Sequence, residues 1–461
     1  MRRKRKISGR KISGRRNQQG VIITLVAVFM LFVIGAMAAL SIDVVTLYTA
    51  RSEAQLAADA AALAGARVLA NSGMTSDPTG GLTGGAETLA GAVALQVGQQ
   101  SQVGGRNLVA ANGEVVVVGF SGTLTNPCPA PNPAQTNPCI TVHVQRTDMP
   151  TFFARIWGTM KVTVTASATA EAYNPSGANL LSGTTPPVAP MCVKPWLLPN
   201  MDPRDLSGAT AIFDKTTGAI IAPTAPTALL GWESPNPQST NTRLSTVCPG
   251  GCTGVPPTPV PWKYYPGDPG PTSFPPPTVA LPTCSQVPTP TPYQYSVAGC
   301  IQTPIACNSP TVNIDTAAYP TRDSETVNAV NCLTHSTPNN GGDQVDPNYD
   351  GPPASPFEFL GGANNPITGL NLHDLMVSDS LVTVPVFNST SGTPPPNPVQ
   401  IIGFVQLFMN PEGNEAPLGG LYGGTLKTTV INMAGCGTAA AGNPILGNGA
   451  SPVAVRLISP P

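Results

Sequence analysis

The longest apolar run of the sequence lies near its start. Residues 21–40, VIITLVAVFMLFVIGAMAAL, carry no charge, and Thr24 is the only polar side chain among them. A helix of about 20 residues covers the roughly 30 Å hydrocarbon core of a bilayer. The pattern therefore predicts a transmembrane helix over residues 21–40. The small residues of AMAALS leave a cleaved signal peptide as the alternative, although the apolar region of a signal is usually shorter.

The helical pattern continues beyond this run. Residues 41–70 contain no proline, and their only glycine is Gly65, so the helix is predicted to extend to about Ala70. A narrow stripe then follows one face at helical spacing. Its members are Ile42, Val45, Thr49, Leu56, Ala60 and Leu63.

Around the stripe, residues 53–70 are almost free of bulky side chains. Small side chains at positions three or four apart let a second backbone approach closely. We therefore expect a partner helix, from another copy or another subunit, to pack along this face. A stiff linker helix of high propensity is the alternative. The candidate helix-packing residues are Ala58, Asp59, Ala61, Ala62 and Gly65.

Strand patterns follow the helix. A short helix is predicted within 84–100, and β-branched or alternating residues then predict strands on both sides of a Pro-rich middle. The predicted strands are 113–120, 139–149, 161–172, 379–388, 399–410 and 426–437. A long helix followed by antiparallel strands predicts an α+β fold.

Composition divides the chain further. It has 461 residues with 53 prolines and 47 glycines, and prolines dominate 174–330, where their missing amide donor predicts irregular or polyproline-like backbone. The predicted divisions are a basic arm (1–20), a transmembrane helix (21–40), a helix-and-sheet region (41–173), a Pro/Gly/Cys-rich region (174–354) and a β-rich region (355–461).

Charge is distributed unevenly along the chain. Nine Lys and Arg residues precede the first acidic residue, Asp43, and the rest of the chain is acidic. By the positive-inside rule, this bias places the N-terminus in the cytoplasm and the chain from about Asp43 onward on the other side of the membrane. An acidic body does not favour nucleic-acid binding. A nuclear-type basic patch is the alternative for the arm.

The ten cysteines concentrate where burial is expected to be poorest. Six lie between 248 and 332, and outside the cytoplasm such cysteines usually pair. Cys128 and Cys139 bracket one predicted hairpin loop and are the preferred disulfide partners. Cys248 and Cys252 are further disulfide candidates, because a single such pair is a weak signal for a metal site.

One order of features resembles a known family. A basic arm and an apolar span are followed by Asp43, Tyr48 and Arg51, and then by the run ADAAALAGA over 58–66, which includes Asp59. This order resembles the N-terminal segment of TadG-like proteins of Flp (tight adherence) pilus assembly. The resemblance implies a single-pass inner-membrane protein with a large periplasmic part, a pilin-like sheet after the helix, and pilin-like or other assembly subunits as partners, besides self-association. It implies no known catalysis.

The chain also departs from related patterns. A prepilin-type segment would carry Glu five residues after the processing glycine, and that position after Gly20 is Leu25. Polymerisation as a major pilin is therefore not expected. Some relatives carry a von Willebrand-type domain whose metal site begins D-x-S-x-S. DLSGA, at 205–209, lacks the second serine, so we expect this domain to be absent.

Candidate chemistry is sparse. The sequence contains no G-x-S-x-G, no H-E-x-x-H and no phosphate loop, and its three histidines are far apart. No cofactor is expected, with one open alternative: Asp346, Asn348 and Asp350 have the spacing of a calcium loop. The twelfth position is Phe357 instead of Glu, so a surface Asx-turn cluster is the preferred explanation. The expected function is structural and non-catalytic. A surface adhesin or other extracytoplasmic binding protein, and an undetected periplasmic hydrolase, are the alternatives.

Overall fold

The computed structural model describes most of the chain. The described residues are 16–76, 83–121, 137–173, 188–202, 210–221, 242–246, 262–268, 284–285, 287–299, 303–308, 312–315, 321–337, 341–346, 358–388, 397–414, 426–437, 445–447 and 451–458.

Within these residues the chain is mixed α and β. The helices are α1 (Arg16–Asn71), α2 (Thr83–Gln100), α3 (Pro292–Ala298) and α4 (Thr321–Leu333). Short 3-10 helices cover Met74–Ser76, Ala110–Asn112 and Ala154–Trp157. The strands are β1 (Gln102–Val103), β2 (Arg106–Asn107), β3 (Val115–Ser121), β4 (Cys139–Pro150), β5 (Lys161–Tyr173), β6 (Val188–Pro190), β7 (Trp196–Pro199), β8 (Thr242–Thr246), β9 (Trp262–Pro266), β10 (Gln344–Val345), β11 (Phe359–Leu360), β12 (Leu381–Phe387), β13 (Ile401–Met409), β14 (Leu426–Gly435), β15 (Ile445–Gly447) and β16 (Ala454–Ile458).

The helix α1 is continuous over 56 residues, which corresponds to roughly 80 Å. No proline interrupts it. From Val21 onward it is long and apolar enough to cross a membrane, with a mean hydropathy of 2.9 in its most apolar window. Most side chains over 21–40 are exposed, whereas those after Ala50 alternate between buried and exposed. One helix thus serves as a candidate span and as a packed core element.

The second half of α1 forms a membrane-proximal body with α2 and a four-stranded antiparallel sheet, ordered β16-β5-β4-β3. Alternate side chains of β4, among them Ile140, Val142 and Val144, are fully buried in the same cluster as the alanines of α1. Alanine on the helix and β-branched residues on the sheet let the two layers approach closely. The predicted helix-and-antiparallel-sheet arrangement is confirmed.

The second body is a closed barrel ordered β12-β13-β14-β8-β9-β7, packed against α3 and α4. Two of its neighbouring pairs, β12 with β7 and β8 with β9, are parallel, and the others are antiparallel. Trp196 donates its indole N–H to the hydroxyl of Tyr293 on α3 (3.2 Å), which lies 2.8 Å from the hydroxyl of Thr326 on α4. We call the barrel with these helices the barrel body.

The expectation of irregular backbone throughout 174–330 is wrong. β7, β8, β9 and α3 lie there, and α4 begins there. The sequence of β9, WKYYP, contains three aromatic residues, which favour a strand. Its proline is the last residue, where the missing amide N–H removes little of the strand pairing. Pro292 occupies the first turn of α3 behind a Thr291/Gln294 capping box, a position at which a helix tolerates proline.

The barrel body is inserted into the sheet of the membrane-proximal body. β16 pairs with β5 in antiparallel register, from Ala454 with Tyr173 to Ile458 with Thr169. The chain therefore leaves the first sheet after β5, builds the barrel and returns to add the edge strand. The division of the chain at 173 and 354 stays a prediction.

Disulfides join loops to the barrel body. Cys284 is bonded to Cys332 on α4, with 5.6 Å between the Cα atoms, and Cys307 to Cys436 just after β14, with 5.7 Å. Cys139 and Cys192 are also disulfide-bonded, so none of the six described cysteines is free. Cys128, Cys248 and Cys252 lie outside the described residues, so their pairings stay predictions.

Candidate functional site

The carboxylate of Asp43 caps the loop between β4 and β5. Asp43 is buried, and its oxygens accept hydrogen bonds from the main-chain N–H groups of Phe152 (2.9 Å), Phe153 (2.9 Å) and Ala154 (2.7 Å). These groups begin the 3-10 helix of the loop, whose N-cap residue, Phe153, has no side-chain capping bond of its own. The residue from α1 therefore supplies the cap that the loop lacks.

The electrostatics at Asp43 favour its charged form. Burial acts to raise the pKa of its carboxyl, but the N–H groups of Phe152, Ala154 and Phe153 together lower that pKa by more, so it lies below its usual value. An ionised carboxylate accepts stronger hydrogen bonds than a neutral one. At neutral pH this contact therefore fastens the sheet to the helix just beyond the apolar run.

The other two residues of the membrane-proximal motif point away from the sheet. Tyr48 is 78% exposed, and Arg51 is exposed as well. The structure thus separates the motif into one internal contact, at Asp43, and two surface side chains. A role for Tyr48 and Arg51 toward another molecule stays a prediction.

The alanine run is buried inside the chain itself. Ala58, Ala61 and Ala62 have no exposed surface and belong to the cluster formed with α2 and the sheet. At Gly65, a Cβ would lie 2.6 Å from Cδ1 of Ile140 and 3.2 Å from the carbonyl oxygen of Ala90 on α2. Gly65 therefore permits the close approach of α1, α2 and β4.

The structure corrects our expectation of what packs against the face formed by Ala58, Ala61, Ala62 and Gly65. We expected a helix of another molecule, but α2 and the sheet of the same chain occupy it. Asp59 lies at the edge of the face, where it accepts a hydrogen bond from Nε2 of Gln55 (2.8 Å), which also donates to the carbonyl of Ser167 on β5 (3.2 Å). The opposite face carries the exposed side chains of Val45 and Leu56. Both side chains belong to the stripe predicted from the sequence, which follows the apolar run of residues 21–40.

Buried polar residues join the end of α1 to the barrel body. Nδ2 of Asn432 on β14 donates to the carbonyl oxygen of Ala70 (2.7 Å), and its Oδ1 accepts from the hydroxyl of Ser76. Nε2 of Gln406 on β13 donates to Oδ1 of Asn71 (3.2 Å). Sequence reasoning missed this junction, although a polar residue inside each apolar strand, N in VINMAG and Q in FVQLF, was the available signal.

An ion-pair network fixes the end of the first sheet that leads into the loop between β4 and β5. Nη2 of Arg106 bonds Asp148 at 2.7 Å, Nη1 of the same residue bonds Glu114 at 2.8 Å, and Nε of Arg146 bonds Asp148 at 3.0 Å. Arg106 and then Arg146 lower the pKa of Asp148 to about 2. The network holds the β1–β2 hairpin against β4, and its position against the sheet favours a structural role.

A buried lysine lies in the barrel body. Nζ of Lys194 donates to the carbonyl oxygens of Val297 (2.7 Å) and Gly299 (2.8 Å) at the C-terminal end of α3. Burial lowers the pKa of Lys194 to about 8, while the charge of Asp379 opposes that shift. Asp379 also bonds Nε2 of His335 at 2.9 Å. Lys194 thus fastens α3 to the strand region before β7.

The histidines are not assembled into one site. His143 lies on β4 in the membrane-proximal body, whereas His335 follows α4 and His373 lies between β11 and β12. Among the described residues, no group of three or more His, Cys, Asp or Glu side chains could hold a metal ion.

The predicted calcium loop is only partly described. Asp346 is described, and its main-chain N–H donates to the carbonyl of Glu358 (2.9 Å). Asn348 and Asp350 lie outside the described residues. Burial, and then the charges of Asp374 and Asp346, raise the pKa of Glu358. The calcium loop stays a prediction.

Comparison with known proteins identifies the N-terminal segment. Residues 20–68 match the family model described as putative Flp pilus-assembly TadE/G-like. The matched range contains Asp43, Tyr48, Arg51 and the alanine run, so the resemblance drawn from these residues is confirmed for this segment. No curated protein and no solved structure matches the chain.

Proposed function

We propose that the chain is a non-catalytic, membrane-anchored structural protein of Flp pilus assembly, with its N-terminus in the cytoplasm and both folded bodies in the periplasm. The observation that carries this proposal is the continuity of α1. The matched segment, 20–68, lies within this one helix. Its first half is the exposed apolar run, and its second half packs in the core of a folded body. Such a helix holds a periplasmic body at a fixed distance from the bilayer, which suits an assembly scaffold or anchor.

Charge and cysteine usage support the orientation. The basic arm precedes the span, and positive charge is retained on the cytoplasmic side. Disulfides such as Cys284–Cys332 and Cys307–Cys436 persist in oxidising compartments. Both features favour an inner-membrane protein whose bulk is periplasmic.

The surface of α1 supports a role in assembly. Val45, Tyr48 and Leu56 are exposed on the helix where it leaves the apolar run. A pilin-like subunit or a second copy of the chain, approaching along the membrane, would meet this surface first. Pilin-like subunits and self-association are therefore the partners that we propose, and the family match supports a non-enzymatic role.

A topology experiment tests the orientation. A reporter active only in the periplasm, fused after Pro461, is expected to be active, because the chain crosses the membrane once in this proposal. Neutral residues in place of the nine basic ones should weaken or invert the preference. Activity of a cytoplasm-only reporter at the same site would contradict the proposed orientation.

A fractionation experiment tests the role. Cells that lack the chain are expected to lose surface pili, and the chain itself is expected to stay in the inner membrane when pili are sheared off. A chain that leaves with the sheared pili indicates a tip or adhesin role. Normal pili in cells without the chain would overturn the assembly function altogether.

A further inference from the structure

We propose that the loop between β4 and β5, residues 151–160, is a second membrane contact that inserts into the lipid headgroup layer beside α1. This inference rests on the proposed membrane span of α1. The first observation is the position of Asp43, which lies three residues beyond Leu40, or about 4.5 Å along the helix. The headgroup layer is roughly 5–8 Å thick on each side of the hydrocarbon core. Asp43 therefore lies at headgroup depth.

The loop is held at the same depth. Three of its N–H groups, from Phe152 to Ala154, bind the Asp43 carboxylate directly. The loop is also closed on itself, because the hydroxyl of Thr151 donates to the carbonyl of Thr159, and the N–H of Thr151 donates to the carbonyl of Met160 (3.4 Å). A rigid loop fastened to α1 cannot move away from the bilayer independently.

The loop displays apolar side chains that the protein leaves uncovered. Phe152 is 63% exposed and Met160 is 65% exposed, although the same loop is fixed by hydrogen bonds. Continuity with the apolar run of α1 identifies lipid as the occupant of this surface. Burying exposed apolar area in the interface is favourable.

The charges of the loop fit an anionic headgroup layer. The loop and the first residue of β5 contain no acidic residue, and their charged residues are Arg155 and Lys161, both exposed. The acidic residue nearest before the loop, Asp148, is paired with Arg106 and Arg146. Apolar groups directed at lipid, with basic groups beside them, are typical of interfacial segments. The partner that this surface fits is therefore the surface of an anionic bilayer.

Depth-dependent quenching tests the inference on the full chain in nanodiscs that contain anionic lipid. Cysteine replaces Met160, and an environment-sensitive fluorophore is attached without reductant, so that the disulfides survive. The matched control is Val118→Cys, because Val118 is 64% exposed on the same sheet. Its neighbour Val117 pairs with Val142, about 27 Å along β4 from the loop.

We expect lipids brominated near the headgroup to remove most of the fluorescence at position 160 and to leave that at 118 unchanged. A third label, at Leu31→Cys near the middle of the apolar run, reports on the span. It is read with lipids brominated near the ends of their acyl chains, because bromine at the headgroup lies roughly 14 Å from it along the helix. Quenching at 31 with none at 160 would overturn the loop contact and leave the proposed function intact. Absence of quenching at 31 would overturn the span, and with it the premise of the loop contact. A control with Arg155→Gln and Lys161→Gln should lose the dependence of quenching at 160 on anionic lipid.

Discussion

Asn432, on a barrel strand, donates a hydrogen bond from its side-chain amide to the main-chain carbonyl oxygen of Ala70, in the last turn of α1, over 2.7 Å. The two residues are 362 positions apart. Asn432 is fully buried, so this contact occupies a helix-terminal carbonyl that water does not reach. The junction joins the end of α1 to the barrel body.

Loss of this side chain should loosen the junction. Asn432→Ala leaves the carbonyl of Ala70 without its donor, and a buried unsatisfied group costs about 1–3 kcal/mol. Hydrogen exchange at residues 70–76 is expected to become faster, with little change in α2. Asn107→Ala is the matched control, because Asn107 is exposed. If the amides of residues 70–76 exchange at the same rate in both variants, the hydrogen bond from Asn432 to Ala70 does not stabilise the junction.

Removal of the Asp43 carboxylate should release the loop after β4. Asp43→Ala takes away the acceptor for Phe152, Phe153 and Ala154, so these amides are expected to exchange faster. Asp59→Ala is the control, because the described hydrogen bond of Asp59 is to Gln55 on its own helix. The measurement is amide exchange by mass spectrometry in detergent micelles or nanodiscs.

The same contact has a defined pH dependence. The pKa of Asp43 is lowered from 3.8, so its contribution to stability is complete above about pH 4 and is lost as the pH falls through the lowered pKa. Protection of Phe152–Ala154 should therefore persist at mildly acidic pH. Loss of that protection already near neutral pH would contradict the assignment.

Bulk at Gly65 should separate α1 from the sheet. Gly65→Leu directs a side chain at Ile140 and Ala90, and overpacking of this kind costs typically about 1–3 kcal/mol. Ala60→Leu adds the same side chain to an exposed position of the same helix and is expected to leave thermal stability nearly unchanged. If both variants unfold at the same temperature as the parent, the internal packing at Gly65 is not tight.

Lys194 should make stability increase at alkaline pH. The pKa of Lys194 is lowered from 10.5 to about 8, so between these values the unfolded chain binds a proton that the folded chain does not. The free energy of unfolding should therefore rise with pH across that window, by up to about 3 kcal/mol. In Lys194→Met this increase is expected to disappear. The comparison of urea unfolding of the two proteins between pH 8 and pH 10 measures it.

Much of the local structure follows from the sequence. The absence of proline predicts α1, which ends at Asn71, one residue beyond the expected Ala70. The alternation in KVTVTASATAEA predicts a strand over 161–172, and β5 covers Lys161–Tyr173. These elements are predictable because each depends on short-range periodicity and on backbone propensity.

The long-range contacts do not follow from those patterns. The same small residues, such as Ala61 and Gly65, suit a helix of another molecule or of the same chain, and periodicity does not distinguish the two. The Asp43 contact joins residues about 110 positions apart, and its donors are main-chain groups that any sequence carries. The strands β8 and β9 were missed because the prolines and threonines around them dominate the composition.

The return of β16 to the first sheet delays the completion of that sheet during synthesis of the chain. β5 is synthesised about 280 residues before its partner β16, so the first sheet has one unpaired edge until the whole barrel has been made. An open edge attracts other strands, and pairing over such a separation is slow. A chaperone or a neighbouring subunit that covers Tyr173 and the preceding residues during this interval would favour folding of the newly made chain over its aggregation.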